Sequence, residues 1–390
     1  MPSSSPAQSA RGARYAAITR HGISHALSWF FGFFFIAAFA ALCAPAARAD
    51  TVLTPPITVG SAPVGIAITL DGKFAYVVND VDNTVSVIDT ATNTVVGPPI
   101  AVGNSPYGIA ISPDGKSAYV ANTIDGTVSV IDTATNTVVG PPIVVGNNPQ
   151  SVAISDTFAY VVSWFSSTVS VIDTATSTVV GSPIAVGSLP QFVAITPDGK
   201  FAYVTNSDGV SVIDTTTNTV VGPPITVGGG PAGVAISGTF AYVVNVYDNT
   251  VSVIDTTTNT IVGSPIAVGN NPQLVTITPD GKFAYVTNYS DNTVSVIDTQ
   301  KAQAAATQAT AVVSTLTVGS GPMMVAITPN GKYAYVSNSN DGTVSVIALA
   351  APVPAATSIA TPVPTLGETA LLLLAALLGM SALAAQRHRL

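Results

Sequence analysis

The side chains that could do chemistry in the central part of the chain come from a narrow set. Residues 50–350 contain 19 aspartates and 6 lysines, with many Tyr, Ser and Thr, but no Arg, Glu, His or Cys. A Ser-His-Asp or Cys-His site, a zinc site with His or Cys ligands and an arginine clamp for phosphate therefore cannot be assembled there. We interpret this region as non-catalytic, and we expect it to hold no cofactor and no metal.

The aspartates leave calcium open as an alternative. Asp80, Asp82 and Asn83 offer hard oxygen ligands, and so do Asp291 and Asn292. These residues lie in predicted hairpin turns and lack the spacing of a dedicated calcium loop. Charged residues that recur at the same place in every repeat are better explained as turn residues.

The composition of the whole chain excludes several classes of protein. Only 8% of the 390 residues are charged, whereas 47% are apolar. A disordered chain is rich in charge, a nucleic-acid-binding protein needs clustered Lys and Arg, and a disulfide scaffold needs more than the single Cys43. We therefore expect no nucleic acid among the partners.

The N-terminal segment, residues 1–49, predicts a secretory signal peptide. A leader with three arginines precedes an apolar run over residues 26–44, and Ala47-Arg48-Ala49 is a small-x-small cleavage site. We expect cleavage between Ala49 and Asp50. The alternative is an uncleaved anchor, since 19 apolar residues could just span a bilayer.

The C-terminal segment predicts a sorting tail. An Ala/Pro-rich linker, residues 349–364, leads into Val363-Pro364-Thr365-Leu366, then an apolar run and a basic end. Residues 363–390 resemble the IPTL-CTERM sorting signals of Gram-negative bacteria. The resemblance implies recognition by a sorting transpeptidase of the exosortase type, with the apolar run as a transmembrane helix that holds the protein in the inner membrane before processing. A plain tail anchor is the alternative.

The middle of the chain repeats one unit of about 42 residues seven times. Each unit has four short runs rich in Val, Ile, Thr and Tyr, separated by turn residues, which predicts four antiparallel strands. The runs are apolar on both faces, which favours the stacked blades of a β-propeller over a β-solenoid. The predicted fold is therefore all-β, a seven-bladed β-propeller over residues 50–348.

The way the ring closes can also be predicted. The fourth-strand pattern is missing after the seventh unit, yet Thr51–Gly60 carries that pattern alone before the first unit. We expect this N-terminal strand to pair as the outer strand of the last blade.

Two of the repeats carry a motif found in a known family. Tyr203-Val204-Thr205-Asn206 and Tyr285-Val286-Thr287-Asn288 resemble the motif of the YVTN family of β-propeller repeats. The resemblance covers about residues 52–348. It implies a seven-bladed fold and an extracytoplasmic location, and it implies no common reaction.

The positions at which the seven repeats differ concentrate just after each Gly-x-x-Pro glycine and in the turn between the second and third strands. Propeller geometry places both loop sets on one face, around the mouth of the channel. Aromatic and amide side chains there suit binding of a protein loop or a carbohydrate. The predicted binding residues are Tyr107, Gln150, Trp164, Phe165, Gln191, Phe192, Tyr247, Gln273, Tyr289 and Met323. The alternative is that these positions diverge because packing constrains them least.

These features predict an exported protein of the Gram-negative cell envelope, the cell surface or the extracellular space. It would act as a non-catalytic binding or scaffold module for an unknown envelope protein or glycan. Two alternatives stay open: a lactonase-like hydrolase that uses Asp and Tyr groups at the channel mouth, and a self-associating surface-layer component. The insertion Thr299–Ala311, on the opposite face, is predicted to be a mobile loop because its composition is of low complexity, with a short helix as the alternative.

Overall fold

Short turns set the register of each blade. In the turn between the first and second strands of the second repeat, Gly115 has φ +72°. The Asp114 carboxylate accepts hydrogen bonds from the Ser112 hydroxyl at 2.6 Å and from the Lys116 N–H at 3.0 Å. In the turn between the second and third strands of the first repeat, Asn83 has φ +56°. Because Gly and Asn adopt this left-handed conformation at the lowest cost, these turns fold where the sequence places them.

The computed structural model describes residues 49–155 and 157–350, which form seven antiparallel sheets, one per repeat. The innermost strands contact each other in a closed ring. They are β2 (Pro63–Ile68), β7 (Pro106–Ile111), β12 (Pro149–Ile154), β17 (Val193–Ile195), β21 (Pro231–Ser237), β26 (Pro272–Ile277) and β30 (Pro322–Ile327). The predicted seven-bladed β-propeller is confirmed.

The next two strands of each blade form its centre. The second strands are β3 (Phe74–Asn79), β8 (Ser117–Asn122), β13 (Phe158–Ser163), β18 (Phe201–Asn206), β22 (Phe240–Asn245), β27 (Phe283–Asn288) and β31 (Tyr333–Asn338). The third strands are β4 (Thr84–Asp89), β9 (Thr127–Asp132), β14 (Thr168–Asp173), β19 (Gly209–Asp214), β23 (Thr250–Asp255), β28 (Thr293–Asp298) and β32 (Thr343–Ala348).

The outer strands are less regular than the sequence pattern predicts. Four blades have two short pieces, and the fourth blade has one piece with an isolated bridge from Ile225 to Val210. A Gly with positive φ followed by one or two prolines interrupts the strand, since proline has no N–H to donate. The outer strands are β5 (Thr94–Val95), β6 (Ile100–Ala101), β10 (Thr137–Val138), β11 (Ile143–Val144), β15 (Thr178–Val179), β16 (Ile184–Ala185), β20 (Thr219–Val220), β24 (Thr260–Ile261), β25 (Ile266–Ala267), β29 (Val312–Thr317) and β1 (Thr51–Thr58).

The hydrophobic core lies between the blades. Tyr76 and Val78 of the first blade pack against Ala118 and Val120 of the second, and corresponding clusters follow around the ring. The hydroxyl of Tyr76 also donates to the backbone oxygen of Thr133 in the neighbouring blade at 3.2 Å. Each blade is thus covered on both faces, which explains strands that are apolar on both sides.

The ring closes as predicted. Strand β1 pairs antiparallel with β32, from Thr51 opposite Ala348 to Thr58 opposite Thr343. The Asp50 carboxylate accepts hydrogen bonds from the hydroxyl of Tyr285 and, at 2.7 Å, from the backbone N–H of Ala350. The first and last described residues of the blade assembly are therefore linked directly.

The insertion after β28 is not the mobile loop that its composition predicts. It contains a short helix, α1 (Thr299–Ala302), and a 3₁₀ turn, Gln308–Thr310. The buried side chain of Gln308 accepts from the N–H of Ser264 at 2.7 Å and donates to the backbone oxygen of Val262 at 2.7 Å. One buried amide side chain thus holds the insertion against the fifth blade.

The predicted signal peptide up to residue 48, the linker beyond residue 350 and the sorting tail lie outside the described residues. In the part of the chain that is described, no helix has the length and apolar character needed to cross a membrane.

Candidate binding face at the channel mouth

Two sets of loops meet at one end of the propeller, as predicted. We call the segments that precede the inner strands the mouth loops, and the turns between second and third strands the mouth turns. In the second blade, the backbone N–H of Gly103 donates to Asn122 Oδ1 at 3.1 Å, and that of Asn104 donates to Asp125 Oδ2 at 2.8 Å. These two hydrogen bonds fix the mouth loop against the mouth turn of the same blade.

The same carboxylate contact recurs around the mouth. In six of the seven blades an aspartate of the mouth turn accepts a backbone N–H of the mouth loop at 2.6–3.0 Å. We call these aspartates the rim aspartates: Asp82, Asp125, Asp208, Asp248, Asp291 and Asp341. In the third blade Ser166 replaces the aspartate and accepts from Asn147.

Hydrogen bonds lower the pKa of two rim aspartates. The N–H and side-chain amide of Asn104 lower the pKa of Asp125, and those of Asn270 lower the pKa of Asp291. The repeated carboxylates are thus engaged with their own loops. Among the described residues, no group of three or more His, Cys, Asp or Glu side chains could hold a metal ion.

All ten predicted binding residues lie at this face. Phe165 and Tyr247 are exposed, and the other eight are half-buried: Tyr107, Gln150, Trp164, Gln191, Phe192, Gln273, Tyr289 and Met323.

Four half-buried side chains from different blades meet inside the channel. Tyr107, Phe192, Leu274 and Met323 pack against the same cluster between the seventh and first blades, and Phe192 also packs against the cluster between the fourth and fifth. We call these four residues the channel floor. Burial, with a smaller contribution from the Asp80 carboxylate, raises the pKa of Tyr107 to about 12.

Aromatic side chains of the mouth turns make contacts of their own. The rings of Trp164 and Phe165 stack with centroids 4.8 Å apart and an angle of 22°. The indole N–H of Trp164 has no hydrogen-bond partner among the described residues. Tyr247 lies over Gly230, where an added Cβ would come within 2.8 Å of the ring, so this contact requires glycine.

The sequence analysis missed other residues of this face. Val81 and Ile124 occupy the mouth-turn position of Phe165, and the three side chains are 67%, 74% and 65% exposed. An alignment of the mouth turns would have found them, because Val81, Ile124 and Phe165 stand at the same position after the second strand in three successive repeats. Leu189 is also exposed, at φ +49°, which is uncommon for a bulky residue and marks a place worth testing for function.

Asp80 differs from the rim aspartates. Its carboxylate accepts a hydrogen bond from the Ser105 hydroxyl of the next blade, whereas each rim aspartate accepts one from a backbone N–H of its own mouth loop. A carboxylate offers about four acceptor positions. Asp80 therefore has acceptor capacity left for a ligand, next to the hydroxyl of Tyr107.

Comparisons with known proteins agree with this architecture. Residues 166–349 match the family model "Lactonase, 7-bladed beta-propeller", and residues 35–150 match a YNCE-like β-propeller. Each covers less than half of the chain, and the YVTN family is not among the matches. A search of curated proteins found no match.

The tail also matches a family model. Residues 361–388 match the IPTL-CTERM motif, which confirms the resemblance and indicates an exported protein, secreted or at the cell surface. The residues of the sorting motif itself lie outside the described part of the chain.

Among solved structures, hydrazine synthase of Kuenenia stuttgartiensis is similar to this chain. The identity is 24%, the match covers 77% of this chain and 99% of that chain, and the TM-score is 0.68. This likeness shows the fold alone.

One prediction must be corrected. The narrow set of side chains led us to interpret the protein as a non-enzyme, and the lactonase match contradicts that interpretation. The inference failed because it excluded only sites built from His, Cys, Glu or Arg, whereas Asp, Tyr, Ser and Lys remain available for chemistry.

Proposed function

We propose that the protein is an exported β-propeller that binds a protein or a glycan through its channel-mouth face, in the cell envelope or at the surface. The supporting observation is the distribution of exposed apolar side chains. Among the described residues, five large apolar side chains are more than 60% exposed, and four of them lie in mouth turns: Val81, Ile124, Phe165 and Tyr247. Exposed aromatic side chains concentrated on one face are typical of binding surfaces.

A control residue lies at the opposite end of the propeller. Leu70 is 56% exposed and lies in the turn between the first and second strands of the first blade, away from the mouth. Binding of surface glycans and envelope proteins to the purified protein should change the fluorescence of Trp164, the only tryptophan after residue 49. Phe165→Ser and Tyr247→Ser should weaken binding by about tenfold, equivalent to ~1.4 kcal/mol, and Leu70→Ser should not. Binding that ignores both mouth variants and leaves the fluorescence of Trp164 unchanged would refute the assignment of this face.

Hydrolysis of a lactone at the same mouth is a second candidate function, favoured by the lactonase match over residues 166–349. In that reaction water adds to the ester carbonyl, the ring C–O bond breaks and a hydroxy acid is released. Asp80 and Tyr107 are the nearby groups that could move the proton. Turnover of simple lactones that Asp80→Asn abolishes, and that Asp291→Asn leaves intact, would establish this function; turnover unaffected by Asp80→Asn would exclude Asp80 from it.

A further inference from the structure

Both ends of the propeller carry more aspartates than lysines, but among the described residues only one end carries any lysine. Seven aspartates lie at the mouth, namely the six rim aspartates and Asp80. The six lysines of the described residues lie at the other end, five in turns between first and second strands and Lys301 in α1. The mouth face therefore presents carboxylates without a single lysine or arginine among the described residues.

An apolar arc borders these carboxylates. Val81, Ile124 and Phe165 occupy equivalent positions in three successive blades, and Asp82 and Asp125 directly follow the first two in the chain. In the fifth blade Tyr247 stands at the equivalent position, and in the sixth and seventh blades the equivalent residues are polar, Ser290 and Asn340. The continuous apolar stretch of the mouth turns therefore covers three successive blades.

The polar group best placed to recognise a ligand beside that stretch is Asp80. It precedes Val81, and its hydrogen bond to Ser105 connects the first blade to the second. The rim aspartates are engaged by their own loops, whereas Asp80 keeps free acceptor positions. If the aliphatic stem of a ligand's lysine or arginine lay on Tyr107 and Met323 of the channel floor, its cationic head group would lie near Asp80.

We propose that the mouth face docks a protein partner through an amphipathic basic segment, whose apolar side chains cover the arc of Val81, Ile124 and Phe165 and whose lysine or arginine pairs with Asp80. The proposal rests on the proposed binding function and names the chemistry of its ligand. Charge complementarity decides the choice, since a neutral or anionic glycan gains nothing from seven carboxylates. Lysine and arginine supply both the apolar stem and the cationic head group.

The test uses the full-length protein and three synthetic amphipathic peptides with the same leucine positions. Their polar positions are all lysine, all glutamine or all glutamate. Calorimetry should give binding of the lysine peptide, at least tenfold weaker binding of the glutamine peptide and no binding of the glutamate peptide. The affinity for the lysine peptide should fall as salt is raised, because salt screens exposed charges.

Two pairs of variants locate the contact. Asp80→Asn should weaken binding of the lysine peptide by about tenfold, while Asp198→Asn, the same charge change in a turn at the opposite end, should alter it less than twofold. Ile124→Thr should weaken it, and Leu70→Thr should not. Equal affinity for the lysine and glutamine peptides, or equal effects of Asp80→Asn and Asp198→Asn, would overturn the proposal.

The outcome also separates this inference from the proposed function. If the peptides do not bind but a surface glycan binds and changes the fluorescence of Trp164, the basic partner is wrong and the binding face stands. If neither a peptide nor a glycan binds at the mouth, both proposals fail. Thermal melts of each variant show whether the fold is intact, so that a loss of binding is read only from folded protein.

Discussion

The two ends of the propeller use the same kinds of residue for different purposes. At the end away from the mouth, tyrosine hydroxyls and Asp-Gly-Lys turns recur from blade to blade, and the hydroxyl of Tyr203 donates to the neighbouring blade at Thr256. At the mouth, only the asparagine and aspartate that fix each loop recur, and the side chains between them differ. A residue that connects or closes a blade is repeated, so repetition marks structure and divergence marks the surface available for binding.

The strongest test of this comparison concerns the ring on which both ends depend. Deleting residues 51–58 removes β1 and exposes the outer edge of β32, including Val344 and Val346. We expect the melting temperature to fall by roughly 10 °C or more, because several kcal/mol of pairing and burial are lost. Calorimetry measures this change, and an unchanged cooperative melt would contradict closure by β1.

A pH titration probes the buried tyrosines. Burial raises the pKa to about 12 for five of them, Tyr76, Tyr107, Tyr203, Tyr242 and Tyr335. Their ordinary pKa is 10, so the unfolded chain loses these protons first. The stability that these tyrosines contribute should be fully present below pH 10 and should be lost as the pH rises through 12. Chemical denaturation at increasing pH measures the loss, and a denaturation midpoint that is constant up to pH 12 would refute it.

The mouth loops can be tested at a single asparagine. Asn122 is buried, accepts from Gly103 N–H at 3.1 Å, and donates to Thr127 at 3.0 Å and Ser129 at 2.9 Å. Asn122→Ala leaves buried partners without hydrogen bonds and should lower the free energy of unfolding by about 2–4 kcal/mol. The exposed Asn340 is the control, and its change to Ala should stay within about 0.5 kcal/mol. Similar losses for both would mean that the buried asparagine does not fix the loop.

The smallest effect is expected for the charge of a turn lysine. Lys116 and Asp114 form an ion pair at 3.7 Å with both side chains more than half exposed. Lys116→Gln should change the free energy of unfolding by less than about 0.5 kcal/mol. Asp114→Ala should cost about 1 kcal/mol, since the buried Ser112 hydroxyl loses its acceptor. A larger effect for the lysine would show that its charge, and not the turn geometry, explains why it recurs.

The sequence predicted the blade number, the closure by β1 and the face on which the loops differ, because repeats report local patterns directly. It did not predict that Phe192 and Leu274 meet Tyr107 and Met323 across the channel, since these contacts join blades that are far apart in the chain. Nor did composition predict the packing of the insertion, to which the buried Gln308, Ala302 and Ala311 contribute.

The hydrogen bond between Asp50 and Ala350 also has a consequence for how the protein is presented. The chain enters and leaves the propeller at the edge of the seventh blade. Both points lie beside the last residue of β32, on the side of the lysine turns. A tether through the segment after residue 350 would therefore begin at the end of the propeller opposite the channel mouth.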